Sequence, residues 1–230
     1  MKPFDHLIFD LDDTLLDTSN QLIPQASRES CLAMIESGLN ATLEECIDTR
    51  AEFVRSTKRY DLYNEIVRKF GVRVGCDAAN VARSGYDAFH NREVETHITP
   101  MPGVREMLED LRQHYGLHLV TAGHRETQEA KLVILDFIAL FDGIHHVDPT
   151  RGERKSEAFA LIMASTARPP HRHLSIGNRL DTDIGEARRH GWKACWVRHG
   201  EYAHLQPTTP HERPDWTILS IQELMSTCQL

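Results

Sequence analysis

The sequence predicts an α/β fold, a doubly wound parallel sheet with helices on both faces, on three observations. Six short apolar runs punctuate the chain, helical periods lie between them, and one long stretch after the first run is helical throughout. The runs are HLIFD (6–10), LHLVTAG (117–123), GIHHV (143–147), HLSIGN (173–178), KACWVR (193–198) and WTIL (216–219). Each is brief and apolar at successive positions, which suits strands buried on both faces.

Between the runs, Val104, Met107, Leu108 and Leu111 fall at i, i+3, i+4 and i+7, and Ala130, Ile134, Phe137 and Phe141 share one helical face. From Leu22 to Glu95 the strand signal disappears. Leu32, Ile35 and Leu39, then Leu43 and Ile47, then Leu62, Ile66 and Phe70, then Val81, Gly85 and Phe89 predict about four helices. Turn-forming residues flank this stretch, Asp17-Thr18-Ser19-Asn20 at its entrance and Thr99-Pro100-Met101-Pro102-Gly103 at its exit. The expected organisation is therefore a sheet-bearing core of residues 1–18 and 100–230, with an all-helical insertion, 19–99, that reads as a lid.

With 230 residues, 40% of them hydrophobic and 26% charged, the chain has room for a substantial core and the composition of a globular protein. Its net charge of −8 offers no basic footprint for a nucleic-acid polymer. No apolar stretch approaches a membrane span, and the acidic start MKPFDHLIFDLDD is unlike a signal peptide, so the expectation is a soluble, cytoplasmic protein with no membrane partner. Five scattered cysteines without a C-x-x-C pair read as reduced thiols. Monomer and homodimer are both open.

The strongest chemical signal is Asp10-Leu11-Asp12-Asp13-Thr14-Leu15, directly after the first apolar run. Ligands of open α/β sheets bind beyond the carboxyl ends of the strands, where Asp10 and Asp12 fall. Two carboxylates at i and i+2 can converge on one site as nucleophile and general acid/base, and their crowding favours a divalent cation. The spacing equally fits an acidic turn that caps the next segment.

Four separated segments, in order, resemble those of the haloacid dehalogenase superfamily, in its branch with a helical cap inserted after the first strand. They are Asp10-x-Asp12-x-Thr14; Thr121 at the end of Leu117-His118-Leu119-Val120; Lys155 in Glu153-Arg154-Lys155-Ser156; and Ile176-Gly177-Asn178-Arg179-Leu180-Asp181-Thr182-Asp183-Ile184. Alone, Thr121 also reads as a β-branched strand residue, Lys155 as a solvated cation, and Gly123 and Gly177 as turn formers.

The resemblance implies a Rossmann-like core and a Mg²⁺-dependent phosphatase acting on a small phosphorylated metabolite. Asp10 would attack phosphorus to form an aspartyl-phosphate, and Asp12 would protonate the leaving alkoxide and then take a proton from the hydrolytic water. The hydroxyl of Thr121, the Lys155 ammonium and backbone N–H groups at Leu11, Asp12 and Ala122 would hold the phosphoryl oxygens. Mg²⁺ would be bound through Asp10, the Asp12 carbonyl, Asn178 and Asp183.

Asn178 departs from the family pattern, in which an Asp usually follows the glycine. An amide oxygen can still ligate Mg²⁺ but carries no charge, and Asp183 is expected to support it by holding a metal-bound water or Lys155. Asp181 reads more simply as an acid of the first helical turn. His145-His146 alternate across a strand and His171-Arg172-His173 lacks further ligands, so neither predicts zinc. Arg125, Arg151, Arg154 and Arg179 lie beside the motifs and read chiefly as solvated cations. A phosphotransferase such as a sugar-phosphate mutase, a C–halogen hydrolase and a non-catalytic binding protein are the rival readings.

Overall fold

A computed structural model describes residues 2–56, 61–90, 94 and 97–230. The chain folds as two compact units, one of residues 1–19 and 95–230 and the other of residues 20–94.

The first unit is an α/β domain around a six-stranded parallel sheet. Its strands are β1 (His6–Phe9), β2 (Gly116–Ala122), β3 (Gly143–Val147), β4 (His173–Gly177), β5 (Lys193–Val197) and β6 (Trp216–Ile218). The order β3-β2-β1-β4-β5-β6 places β1 in the interior, with Phe9 opposite Leu119 on one side and Ile176 on the other. All six apolar runs of the sequence became these strands, because a strand covered on both faces needs no polar alternation. On one face Ile8, Val120 and Val147 pack with Phe159, Ile162 and Trp192, the first two of these from helix α8 (Lys155–Thr166).

The exit from the insertion is bound to this unit by backbone hydrogen bonding. Met101 N–H donates to the Leu15 carbonyl at 2.8 Å and Pro100 bridges Leu16. Helix α6 (Val104–Leu111) buries Val104, Leu108 and Leu111. Helix α7 (Arg125–Ile134) departs from the expected face: Gln128, Lys131 and Leu132 are buried, followed by Leu135 just beyond its end, whereas Val133 is exposed. It also stops at Ile134, well short of Phe141. Asp136 adopts φ 52°, and the N–H groups of Asp136 and Phe137 return to Val133 and Leu132, which closes the helix.

The second unit is helical. Helix α1 (Thr18–Gln21) spans the boundary and is followed by α2 (Ile23–Ser37), α3 (Leu43–Arg55), α4 (Leu62–Phe70) and α5 (Ala78–His90). Its core gathers Cys31, Met34, Leu39, Cys46, Tyr63, Ile66 and Val81. Among its described residues there is no strand, and Glu95, where the expected helical stretch ends, lies outside them. On α2 the buried stripe is Ser27, Ser30, Cys31 and Met34, with the expected Leu32 and Ile35 only half-buried. Small polar residues suit that stripe because the Ser30 hydroxyl donates to the Gly85 carbonyl of α5 at 2.9 Å. Helix α3 is stopped at its start by a reciprocal cap between Thr42 and Glu45.

Four imidazoles form a row across one sheet face, His145 of β3, His118 of β2, His6 of β1 and His173 of β4. Successive ring centroids are 6.3, 5.3 and 5.3 Å apart, and His173 stacks on Trp192. The row needs Gly116, since a Cβ there would come within 2.3 Å of His6 Nδ1. Burial pushes all four below the ordinary imidazole pKa, His118 to about 4. Below pH 6.5 the unfolded chain then binds more protons than the folded one, so stability is complete above that pH and falls as acid is added, for His118 down to about pH 4. Urea unfolding should show a stability that declines between pH 7 and 5, and His118→Phe should remove from that decline no more than about 1.4 kcal/mol per pH unit.

Candidate active site

Beyond β1 the Asp10 N–H donates to the Ile176 carbonyl at 2.9 Å, so Asp10 extends the strand at the carboxyl edge of the sheet. The chain then coils tightly. The buried Leu11 gives its carbonyl to the N–H groups of Leu15 and Leu16 at 2.9 and 3.1 Å, and Asp13 takes the left-handed conformation, φ 56°. Thr121 is the penultimate residue of β2, two positions past the partner of Phe9, and therefore reaches the same edge. Its hydroxyl is buried and, among the described residues, has no hydrogen-bond partner. Ala122 next to it is exposed and gives its carbonyl to Gln128.

Lys155 opens α8, where its charge opposes the helix dipole and needs acidic company. It finds two carboxylates: Nζ donates to Asp10 Oδ1 at 2.6 Å and to Asp183 Oδ1 at 2.7 Å. The three side chains are only 4, 9 and 2% exposed in the order Lys155, Asp10, Asp183, so the contacts are shielded from water. Burial pushes the Asp10 carboxyl up to about 7 against the pull of Lys155, and Asp183 and Asp12 push it the same way. Burial alone would lower the Lys155 pKa, but the two carboxylates outweigh it and hold the ammonium charged.

Asp183 is carried by one wide turn, Leu180–Ile184, after β4. Its Oδ2 accepts the Arg179 N–H at 2.9 Å and its carbonyl accepts the Ser175 hydroxyl at 2.9 Å. Gly177 is required for this approach, since a Cβ there would stand 2.3 Å from Asp183 Oδ2. Asn178, directly after β4, is buried, and its backbone carbonyl is pinned by Trp196 Nε1 at 2.9 Å.

Asp12 faces a different set of donors. Its Oδ1 accepts from Lys131 Nζ at 2.6 Å and from the Thr18 hydroxyl at 2.5 Å, and its Oδ2 accepts from Gln128 Nε2 at 3.1 Å. Burial raises the Asp12 pKa, but the Lys131 charge and the three hydrogen bonds outweigh that and hold it below the usual carboxylate value. Lys131, Gln128 and Thr18 were not among the site residues expected from the sequence, which read Thr18 only as a turn former. The available signal was Gln128, Lys131, Leu132 and Leu135 at i, i+3, i+4 and i+7, a core stripe half of which is polar.

The structure thus joins Asp10, Lys155 and Asp183 directly, and sets Thr121 and Asn178 on the flanking strand ends. Asp181 is taken by Arg179, which donates to its two oxygens at 3.0 and 2.6 Å and lies over the Tyr202 ring. Arg125 and Arg151 pair with Glu129 and Asp148 at the surface, and Arg154 is exposed. His145 and His146 face opposite sides of the sheet, the first toward His118 and the second toward Glu129 of α7. A separate group, Asp13, Asp17 and His199, brings three ligand-type atoms within 4.8 Å of one another. Ser19 and an Asp17–His199 contact of 3.0 Å already engage it.

Residues 7–197 match a family model described as haloacid dehalogenase-like hydrolase. Glyceraldehyde 3-phosphate phosphatase of Methanopyrus kandleri is 28% identical over 240 residues, with 95% of this chain and 94% of that protein covered. Among solved structures, the magnesium-bound form of YfnB from Bacillus subtilis superposes with a TM-score of 0.67 at 20% identity, with 98% of each chain covered. A predicted phosphoglycolate phosphatase from Haemophilus somnus superposes with a TM-score of 0.71 at 17% identity, again with 98% of each chain covered.

Lys155→Met would strand two buried carboxylates without their cation. We expect a loss of about 3–5 kcal/mol in urea unfolding near neutral pH, and a smaller loss when Asp183→Asn is combined with it.

Proposed function

The chain belongs to the haloacid dehalogenase-like hydrolases, and on that footing we propose that it is a Mg²⁺-dependent phosphatase that hydrolyses a small phosphate monoester through an aspartyl-phosphate on Asp10. The observation that carries this reading is the buried Lys155 bound to Asp10 and Asp183 at 2.6 and 2.7 Å, with Thr121, whose hydroxyl has no partner among the described residues, at the same end of the neighbouring strand. A nucleophilic carboxylate, a fixed cation and a free hydroxyl at one strand edge suit a transferable phosphoryl group. The kinship to phosphatases of phosphorylated metabolites supports it.

The donor set also fits a hard divalent ion. Asp10, Asp183 and Asn178 are buried oxygen ligands, and around the nucleophile the carboxylates of Asp10, Asp12 and Asp183 outnumber the ammoniums of Lys155 and Lys131 by one. Magnesium bound there would offset that charge and polarise the phosphate. Asp10 would help to hold the ion as well as supply the oxygen that attacks phosphorus. Asp183 would act largely through Lys155, and Asn178 would contribute a neutral amide oxygen.

In the first step Asp10 attacks phosphorus while Lys155 and Thr121 steady the phosphoryl oxygens, and Asp12 delivers a proton to the departing alkoxide. In the second, Asp12 takes a proton from water as it attacks the aspartyl-phosphate, which returns Asp10 and releases phosphate. The helical insertion is assigned the choice of substrate, since the core residues read only the phosphoryl group. The mutase reading shares the first step and differs only in its acceptor.

Phosphate release with Mg²⁺ over a panel of sugar, triose and nucleoside monophosphates should detect hydrolysis that Asp10→Asn abolishes. A sugar bisphosphate product without free phosphate would favour the mutase. In a Mg²⁺ titration of turnover, Asn178→Asp should lower the half-saturating concentration and Asn178→Ala should raise it; unchanged values would remove Asn178 from the metal site. Because burial holds the Asp10 pKa near 7, a proton competes with the ion there, and calorimetry should find Mg²⁺ binding tighter at pH 8 than at pH 6.5.

A further inference from the structure

We propose that Lys131 and Gln128 form a second arm of the active site, which positions Asp12 and stabilises the carboxylate formed when it gives its proton to the leaving group. The proposal rests on the phosphatase reading above and adds to it the residues that let Asp12 work.

The side chain of Lys131 is 7% exposed and that of Asp12 27%, with 2.6 Å between Nζ and Oδ1. An ammonium withdrawn this far from water on a helix needs a structural reason, and the only acid its Nζ meets among the described residues is Asp12. Gln128 lies one turn earlier on the same face of α7, and its amide is oriented by two acceptors, Asp12 Oδ2 and the Ala122 carbonyl, each at 3.1 Å. Gly123 opens the space for it, since a Cβ there would meet Gln128 Nε2 at 2.6 Å. With the Thr18 hydroxyl on Oδ1, donors reach both oxygens of Asp12. Helix α7 follows β2, whereas Lys155 opens α8, so the two acids of the Asp10-x-Asp12 pair are held by different helices, each through a buried lysine.

This division separates two tasks. The Asp12 carboxylate, ionised at rest, takes a proton from the incoming monoanionic ester; when the P–O bond breaks, the electron pair stays on the alkoxide oxygen, which takes that proton from the Asp12 carboxyl. Asp12 becomes a carboxylate, and Lys131, Thr18 and Gln128 supply the donors that carboxylate needs. Water attacking the aspartyl-phosphate later returns a proton to Asp12, so each turn of the cycle consumes one ester and one water and yields one alcohol and one phosphate. The arm thus acts where the leaving group needs a proton and has no task where it does not.

The test compares kcat/KM, which reports the steps through departure of the alcohol, for two esters with the full chain and Mg²⁺. p-Nitrophenyl phosphate has a leaving group that departs without a proton, whereas glycerol 2-phosphate must release an alkoxide. Lys131→Met should lower the glycerol-to-nitrophenyl ratio of kcat/KM at least tenfold, and Asp12→Asn should lower it by about a hundredfold. Gln128→Leu, which removes a neutral donor and leaves the charge in place, should lower it about threefold and carries the test if Lys131→Met does not fold. Parallel losses on both esters in these two variants would show mere structural support and overturn the proposal. Activity that persists in Asp10→Asn would instead overturn the phosphatase reading, so the two failures are distinct.

Discussion

The contact on which this site depends is one buried ammonium shared by two buried carboxylates. Lys155 cannot neutralise both charges, and among the described residues neither acid forms an ion pair with a second cation, so the trio carries a net negative charge inside the protein. That excess is expensive to hold away from water, and it is visible in the upward push on Asp10. The same imbalance would favour a divalent ion in the proposed reading. A site balanced in charge would be more stable and chemically idle.

The sheet supplies the geometry for this arrangement. With the order β3-β2-β1-β4-β5-β6, the winding reverses between β1 and β4, and the crevice where a ligand is expected lies at their carboxyl ends. Asp10 leaves β1 there, and Asn178 and the turn bearing Asp183 leave β4 beside it. Two short irregular turns do the fine aiming, the coil after Leu11 and the wide turn at Leu180–Ile184. Both are backed by hydrogen bonds to the main chain, which leaves the carboxylates few alternative positions.

Most of this fold was legible because parallel strands buried on both faces leave an unambiguous trace, as at Leu7-Ile8-Phe9 and Leu174-Ser175-Ile176. The candidate site was legible in position where its residues follow such strands: the strand-end places of Asp10, Thr121 and Asn178 could be read from the runs before them. Helical side chains were harder. The apolar count favoured Ala130 and Ile134, yet α7 turns Gln128 and Lys131 inward, because a polar pair with a buried partner is invisible to hydrophobic periodicity. Which acid meets Lys155 also lay beyond spacing, since Arg179 folds back over Asp181 while Asp183 accepts from Lys155.

The interior place of β1 has a further consequence for how the molecule comes into being. It leaves the ribosome before either of its neighbours, residues 116–119 and 173–176. At ordinary elongation speeds of about 5–20 residues per second, it waits on the order of ten seconds or more for the second of them. The helical unit of residues 20–94 is contiguous and can assemble in the meantime. During synthesis, therefore, an apolar strand with both edges unsatisfied precedes a finished bundle, and chaperones or early collapse must shelter Leu7, Ile8 and Phe9 until the second half of the chain arrives.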